Sequence, residues 1–183
     1  AIKEGGVRVI VLDDRAVCED KKFIPMAMVV GRLNSVFLEA GVRHLASIVC
    51  ISAEAFDSHT SAVLVAYGAS AIYPYLFYAT VYDICKSKEL SAYQTKKSLK
   101  NAHHAIDLGF QKILSKMGIA TIASYRNSGL FDCLDLSKKV VQKCFAVSYT
   151  PIGGLDFADI AAKIEAKHAS VFKKHATAKI FPL

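Results

Sequence analysis

Short apolar runs that read as strands alternate along this chain with stretches of helical periodicity, and few architectures accept that order. Val7 to Leu12 is rich in β-branched residues and ends in Asp13-Asp14-Arg15, the pattern of a buried strand with a polar mouth. A helix opens at Ile24-Pro25, carries Met26, Val29, Val30, Leu33 and Phe37 at helical spacing, and stops at Gly41. Ala46 to Ile51 reads as a second strand, residues near 55 to 66 as a helix, and Ala69 to Ile72 as a short third strand. Pro74 to about Lys86 reads as helical. Ser91 with Gln94 three residues later forms a capping-box signature for a long helix running towards Lys116. Gly109 weakens the middle of that helix by about 1 kcal/mol relative to alanine. Ile119 to Ala123 reads as a fourth strand, followed by a short helix near Leu130 and another from Ser137 to about Lys143. Gly153-Gly154 reads as a turn before Asp156, which caps a last helix with Asp159 in its first turn.

This alternation predicts an α/β fold with a mainly parallel sheet and right-handed βα crossovers. Four strands, near residues 7–12, 46–51, 69–72 and 119–123, are too few to close a barrel of eight. The expectation is a partial-barrel-like arrangement or a small open sheet, in a single domain over residues 1–183.

Several function classes lose support. The net charge of +7 suggests nucleic acid, but the lysines fall in scattered pairs (Lys21-Lys22, Lys96-Lys97, Lys138-Lys139, Lys173-Lys174) without interleaved aromatics, the pattern of solvated surface. Five cysteines, Cys18, Cys50, Cys85, Cys133 and Cys144, form no C-x-x-C pair, so buried reduced thiols are expected and neither a disulfide framework nor a metal cluster. Thr60 to Tyr82 lacks charge over a length that could span a bilayer. Gly68, Ser70 and Pro74 interrupt it, and a helix, a strand and a second helix explain it better. The opening residues carry no signal-peptide pattern and lead straight into the first strand, so a cytoplasmic location is expected. No phosphate-binding glycine loop and no nucleophile elbow occurs. His103-His104 lacks the i, i+4 spacing of a helical metal site.

Three polar clusters remain at expected strand ends: Asp13-Asp14-Arg15, Ser52 with Glu54, and Ser124-Tyr125-Arg126. Strand carboxyl ends are where ligands and neighbouring domains meet a parallel sheet. Lys116, Ser124, Tyr125 and Arg126 are therefore expected near the carboxyl edge as a contact surface. Arg126 offers a rigid five-donor fork suited to a carboxylate on a partner.

The order of these pieces resembles the central domain of the glutamate synthase large subunit over nearly the whole chain. The resemblance rests on Asp13-Asp14-Arg15, Pro25, Gly41-Val42-Arg43 and His59. It continues through Ala66-Tyr67-Gly68-Ala69-Ser70 with Ala71, Ile72, Pro74, Tyr75 and Leu76. It ends with Ser115 to Ile119, Ser124-Tyr125-Arg126 and Ile152-Gly153-Gly154. The chain departs from the family pattern where a histidine run is replaced by Asn34-Ser35-Val36, where an aspartate becomes Ser70 and an asparagine Tyr73, and where Gly-Ala-Gln becomes Asn127-Ser128-Gly129. The resemblance implies a structural domain between a glutaminase domain and a flavin-binding barrel, helping to form the ammonia tunnel of an enzyme that makes glutamate from glutamine and 2-oxoglutarate. It implies no catalytic residue and no cofactor in this chain, with FMN and an iron–sulfur cluster in the missing flavin domain. The implied partners are those glutaminase and FMN-binding domains, not nucleic acid or membrane. The chain reads as an excised or split central segment; the alternative is a stand-alone α/β enzyme or binding module with a site at the strand carboxyl ends.

Overall fold

A computed structural model describes residues 2–172. In chain order it contains α1 (Ile2–Gly5), β1 (Val9–Asp13), α2 (Met26–Glu39), β2 (Ser47–Ile51), α3 (Ser58–Ala66), β3 (Ala71–Tyr73), α4 (Tyr75–Ser87), α5 (Ala92–Met117), α6 (Ile122–Tyr125), β4 (Leu134–Leu136), α7 (Lys138–Cys144), β5 (Ile152–Leu155) and α8 (Phe157–Phe172). A 3-10 turn, Arg43–Leu45, leads into β2.

The three N-terminal strands form an open sheet in the order β1-β2-β3, parallel throughout. Three of the four expected strands are therefore present and parallel. β2 is central, and its Ile48 and Cys50 are fully buried. Helix α2 seals one side of this core through Met26, Val30 and Phe37, and α7 packs on α2 through Val140, Val141 and Cys144. A second, smaller cluster lies under α3, where Ala62 and Ala66 meet Tyr125 and Phe110.

The helix boundaries follow local chemistry. Ser91 and Gln94 make the reciprocal capping box, with the Gln94 amide donating to Ser91 Oγ at 3.3 Å and the Ser91 amide to Gln94 Oε1 at 3.0 Å. Asp57 and Thr60 do the same for α3. Ser137 caps α7, and the Asp156 carboxylate accepts from the Phe157 amide at 2.8 Å at the start of α8.

Four expectations need correction. The strand at 119–123 does not form. Gly118 adopts a left-handed conformation (φ +67°) and closes α5, and the Ile119 amide turns back to Leu114 O at 3.0 Å. Thr121 then caps the short helix α6, so the apolar residues Ile119 and Tyr125 face the α3–α5 cluster instead of entering the sheet. No helix occurs near Leu130. Gly153 and Gly154 belong to strand β5, which pairs in parallel with β4 in a separate two-stranded sheet. A Cβ on Gly154 would stand 2.6 Å from the Asp135 backbone, so the close approach of β4 and β5 requires glycine there. Residues 2–5 form a helical turn before β1.

Two glycines inside helices are explained by crossings. A Cβ on Gly31 would lie 2.0 Å from Cys144 O, where α2 meets α7. A Cβ on Gly109 would lie 2.7 Å from Ser58 Cβ, where α5 crosses α3. Gly31→Ala should thus destabilise the chain by about 2–3 kcal/mol through forced separation of α2 and α7, despite alanine's better helix propensity. Gly153→Ala, which meets nothing within 4 Å, should stay within about 0.5 kcal/mol of wild type. Urea denaturation of both variants checks this, and equal midpoints would contradict the crossing geometry.

Candidate functional site

The sheet has two polar edges, and they differ in charge. At the carboxyl edge two of the expected clusters converge. Asp14 follows β1 and its amide extends the β1–β2 ladder to Ile51 O at 3.2 Å. Its carboxylate accepts from Ser52 Oγ at 2.7 Å and from the Ala53 amide at 3.1 Å, which ties the end of β1 to the exit of β2. Ser52 is fully buried, and its Oγ also accepts from the Glu54 amide at 3.1 Å. The Glu54 carboxylate in turn accepts from the Met26 amide at 2.5 Å. Met26 opens α2 behind Pro25, which supplies no side-chain cap, so Glu54 satisfies a first-turn amide from another segment and places its charge at the positive end of the helix. Burial nonetheless pushes the Glu54 carboxyl above its ordinary range, outweighing the Met26 amide that favours the charged form. Burial first, and the neighbouring Asp14 second, push the Tyr75 phenol up to about 12. Asp13 lies outside this network. It holds Arg15 in an exposed pair at 2.6 Å, which keeps the Asp13 carboxyl below its ordinary range.

Beside this edge lies a largely apolar groove of about 710 Å³ between α8 and the start of α3 and α4. Phe56, Leu76 and Val171 on its walls are half or more exposed. Asp14, Glu54 and Lys167 supply its charges.

The amino edge is basic. Arg43 donates from Nε to Asn34 Oδ1 at 2.6 Å, from one Nη to Ala46 O at 2.7 Å and from the other to Gly68 O at 2.7 Å. Asn34, on α2 and buried, donates from Nδ2 to Asn127 Oδ1 at 2.8 Å. The Asn127 amide donates to Ala66 O at 2.8 Å. Gly68 takes φ +124°, and a Cβ there would stand 2.6 Å from Asn34. Arg126 lies beside Arg43, and both line an open cavity of about 430 Å³ with Leu38, Gly41 and His44. Burial, then the like charge of Arg126, lower the Arg43 pKa.

The residues singled out from sequence are thus divided. Lys116 ends α5 and is exposed; Ser124 is exposed and its hydroxyl lies 2.8 Å from Thr121 Oγ1. Tyr125 is not a surface residue. It is 1% exposed and stacks edge-on with Phe110 at 5.5 Å. Arg126 is half-buried at the amino edge, not at a strand exit, because its predicted strand is absent. Sequence reading missed the Arg43–Asn34–Asn127 node. The glycine at 68 and the arginine after Gly41 were visible, but nothing in the sequence joins residues 34 and 127. His103 is structural: its ring meets the Tyr78 hydroxyl at 2.8 Å and Asp107 at 3.4 Å. Four of the five cysteines are buried, and all are free thiols. Among the described residues no helix is long and apolar enough to cross a membrane, and no three His, Cys, Asp or Glu side chains gather as metal ligands.

Comparison with known proteins adds a family. The pattern described as "Glutamate synthase central domain" matches residues 1–137. The chain is 33% identical to ferredoxin-dependent glutamate synthase 2 of Synechocystis sp. over 96% of its length, which is 12% of that protein. It is 34% identical to the ferredoxin-dependent glutamate synthase of Cyanidium caldarium over 86% of its length, and 32% identical to the glutamate synthase [NADPH] large chain of Bacillus subtilis over 92%. Each match covers 11% of the relative. The chain therefore spans about a tenth of the length of the curated relatives it matches.

Glu54 generates a pH prediction. With its folded-state pKa raised, the unfolded chain releases the proton first as pH rises, so stability is lost between the ordinary and the raised value and stays lost above it. Glu54→Gln keeps a carbonyl to accept from Met26 and cannot ionise. Its stability advantage over wild type should be smallest near about pH 4 and grow towards about pH 7. Urea midpoints of both proteins across that range measure it, and parallel curves would show that Glu54 carries no burial cost.

Proposed function

The chain belongs to the glutamate synthase central-domain family, and we propose that it serves as the structural and coupling segment of a glutamate synthase large chain. In this reading the longer protein makes L-glutamate from glutamine and 2-oxoglutarate. This segment joins a glutaminase domain to an FMN-binding domain and helps to form the path for ammonia between them. The observation that carries the reading is the match over most of this chain to a tenth of much longer proteins named as glutamate synthases. Its surface supports it. Val9 and Val11 on edge strand β1 are 54% and 53% exposed, and Phe56, Leu76, Tyr149 and Ile152 are half or more exposed as well. A mean hydropathy of +0.31 agrees with surface that other domains cover.

The flavin and the iron–sulfur cluster are assigned, in this proposal, to other parts of the longer protein. The five cysteines are spread over separate segments, and four are packed singly into the interior. Purified chain should retain no flavin after gel filtration; a yellow, stoichiometric flavoprotein would overturn this assignment.

Lys116, Ser124 and Arg126 are proposed as contacts to the neighbouring domains. Arg126 makes no side-chain hydrogen bond among the described residues, so Arg126→Ala should cost the chain on the order of 1 kcal/mol or less. In the whole enzyme the same substitution should raise glutamine hydrolysis relative to glutamate formation. If both activities and their ratio were unchanged, the coupling role would be wrong.

A further inference from the structure

The cavity at the amino edge contains an unsolved electrostatic problem. Arg43 and Arg126 line it together, and no carboxylate lies within 4.0 Å of either among the described residues. Arg126 Nε is buried and has no hydrogen-bond partner, and two residues on, Ser128 Oγ is in the same condition. A buried donor left unmade costs about 1–3 kcal/mol, and more when it is charged. Two guanidinium groups held beside each other add repulsion. Arg43 is not free to move away. Arg43 is fixed by three bonds to Asn34, Ala46 and Gly68. Arg126 sits between Tyr125, whose ring is packed inside, and Asn127, whose side chain and amide are both bonded. The fold therefore holds two cations at the wall of an open cavity and leaves one buried N–H unpaired.

We propose that Arg43 and Arg126 form a binding site for a small oxyanion, a carboxylate or a phosphate group, received on the two guanidinium groups where they line the cavity. An N–H pair along one edge of a guanidinium matches two oxygens of such a group. Arg43 has two further N–H groups beyond the three its fold contacts use, so it adds charge and donors without leaving its place. Occupancy offsets the repulsion between the two guanidinium groups. The inference stands on this cavity alone and does not depend on the interdomain coupling reading.

The test uses the full chain in solution. The side-chain N–H resonance of Arg126 Nε, assigned by its loss in Arg126→Gln, is followed while sodium phosphate or sodium acetate is added at constant ionic strength against sodium chloride. The expected result is a saturable shift with phosphate, with acetate or with both, and none with chloride. Which salt saturates separates a phosphate from a carboxylate site. Thermal unfolding in the same salts should rise for wild type. Arg126→Gln should weaken the apparent affinity about tenfold or more, and Arg126→Lys, which keeps charge but loses the fork, should fall between the two. Shifts that track ionic strength equally in all three salts, no shift in any, or oxyanion stabilisation that persists undiminished in Arg126→Gln would each overturn the proposal.

Discussion

The three bonds of Arg43 hold together parts of the chain that packing alone would not align. Parallel strands depend on their connections, since each returns through a separate helix before it pairs. Here the guanidinium reaches the middle of α2 at Asn34, the residue before β2 at Ala46, and the turn between α3 and β3 at Gly68. The starting ends of β2 and β3 are thereby referenced to one planar group. Gly68 can approach only because it lacks a Cβ and takes a positive φ, so the arginine and the glycine form a single device. At the other end of the strands Asp14 plays the matching part, joining β1 to Ser52 and Ala53 after β2. The register of the sheet is pinned at both edges by side chains whose charges are opposite.

The Arg43 node also links two asparagines far apart in the sequence. Asn34 lies on α2, and Asn127 stands just after the Ser124-Tyr125-Arg126 segment. In the fold they donate and accept across 2.8 Å, and Asn127 takes a left-handed φ of +58°, a conformation that asparagine tolerates better than most residues. This carboxamide pair bonds Arg43 to the loop carrying Arg126.

Much of this was readable because the relevant signals are local. The capping box at Ser91 needs only residues three apart, and the strands at β1, β2 and β3 are short apolar runs between glycine or polar stops. The misreadings share one cause. Ile119 to Ala123 has the composition of a buried strand, yet Gly118 and Thr121 impose a helix stop and a helix start three residues apart, leaving no extended backbone between them. Gly153-Gly154 has the composition of a turn, yet it is a strand because it pairs with β4, which approaches too closely for a Cβ at Gly154. Composition was outvoted at the first site by capping and at the second by contact with a partner strand remote in sequence.

The two edges of the sheet also divide the chemistry. At the carboxyl edge the buried polar side chains among the described residues have internal partners: Asp14 has Ser52 and Ala53, and Glu54 has Met26. Such a network is closed and rigid, and what it offers outward is the apolar groove beside it. At the amino edge the accounting is open. Arg43 is satisfied but still has donors to spare, and Arg126 has a buried donor with no acceptor. Buried polar groups in folded chains are paired in the great majority of cases, and Arg126 Nε and Ser128 Oγ are the exceptions among the described side chains. The usual expectation for parallel sheets places recognition at the carboxyl ends of the strands. In this chain the closed acidic network sits there, and the unsatisfied charge sits at the opposite edge, because Arg43 must reach the starts of β2 and β3 to hold them and Arg126 is carried to its side by the Asn34–Asn127 bond.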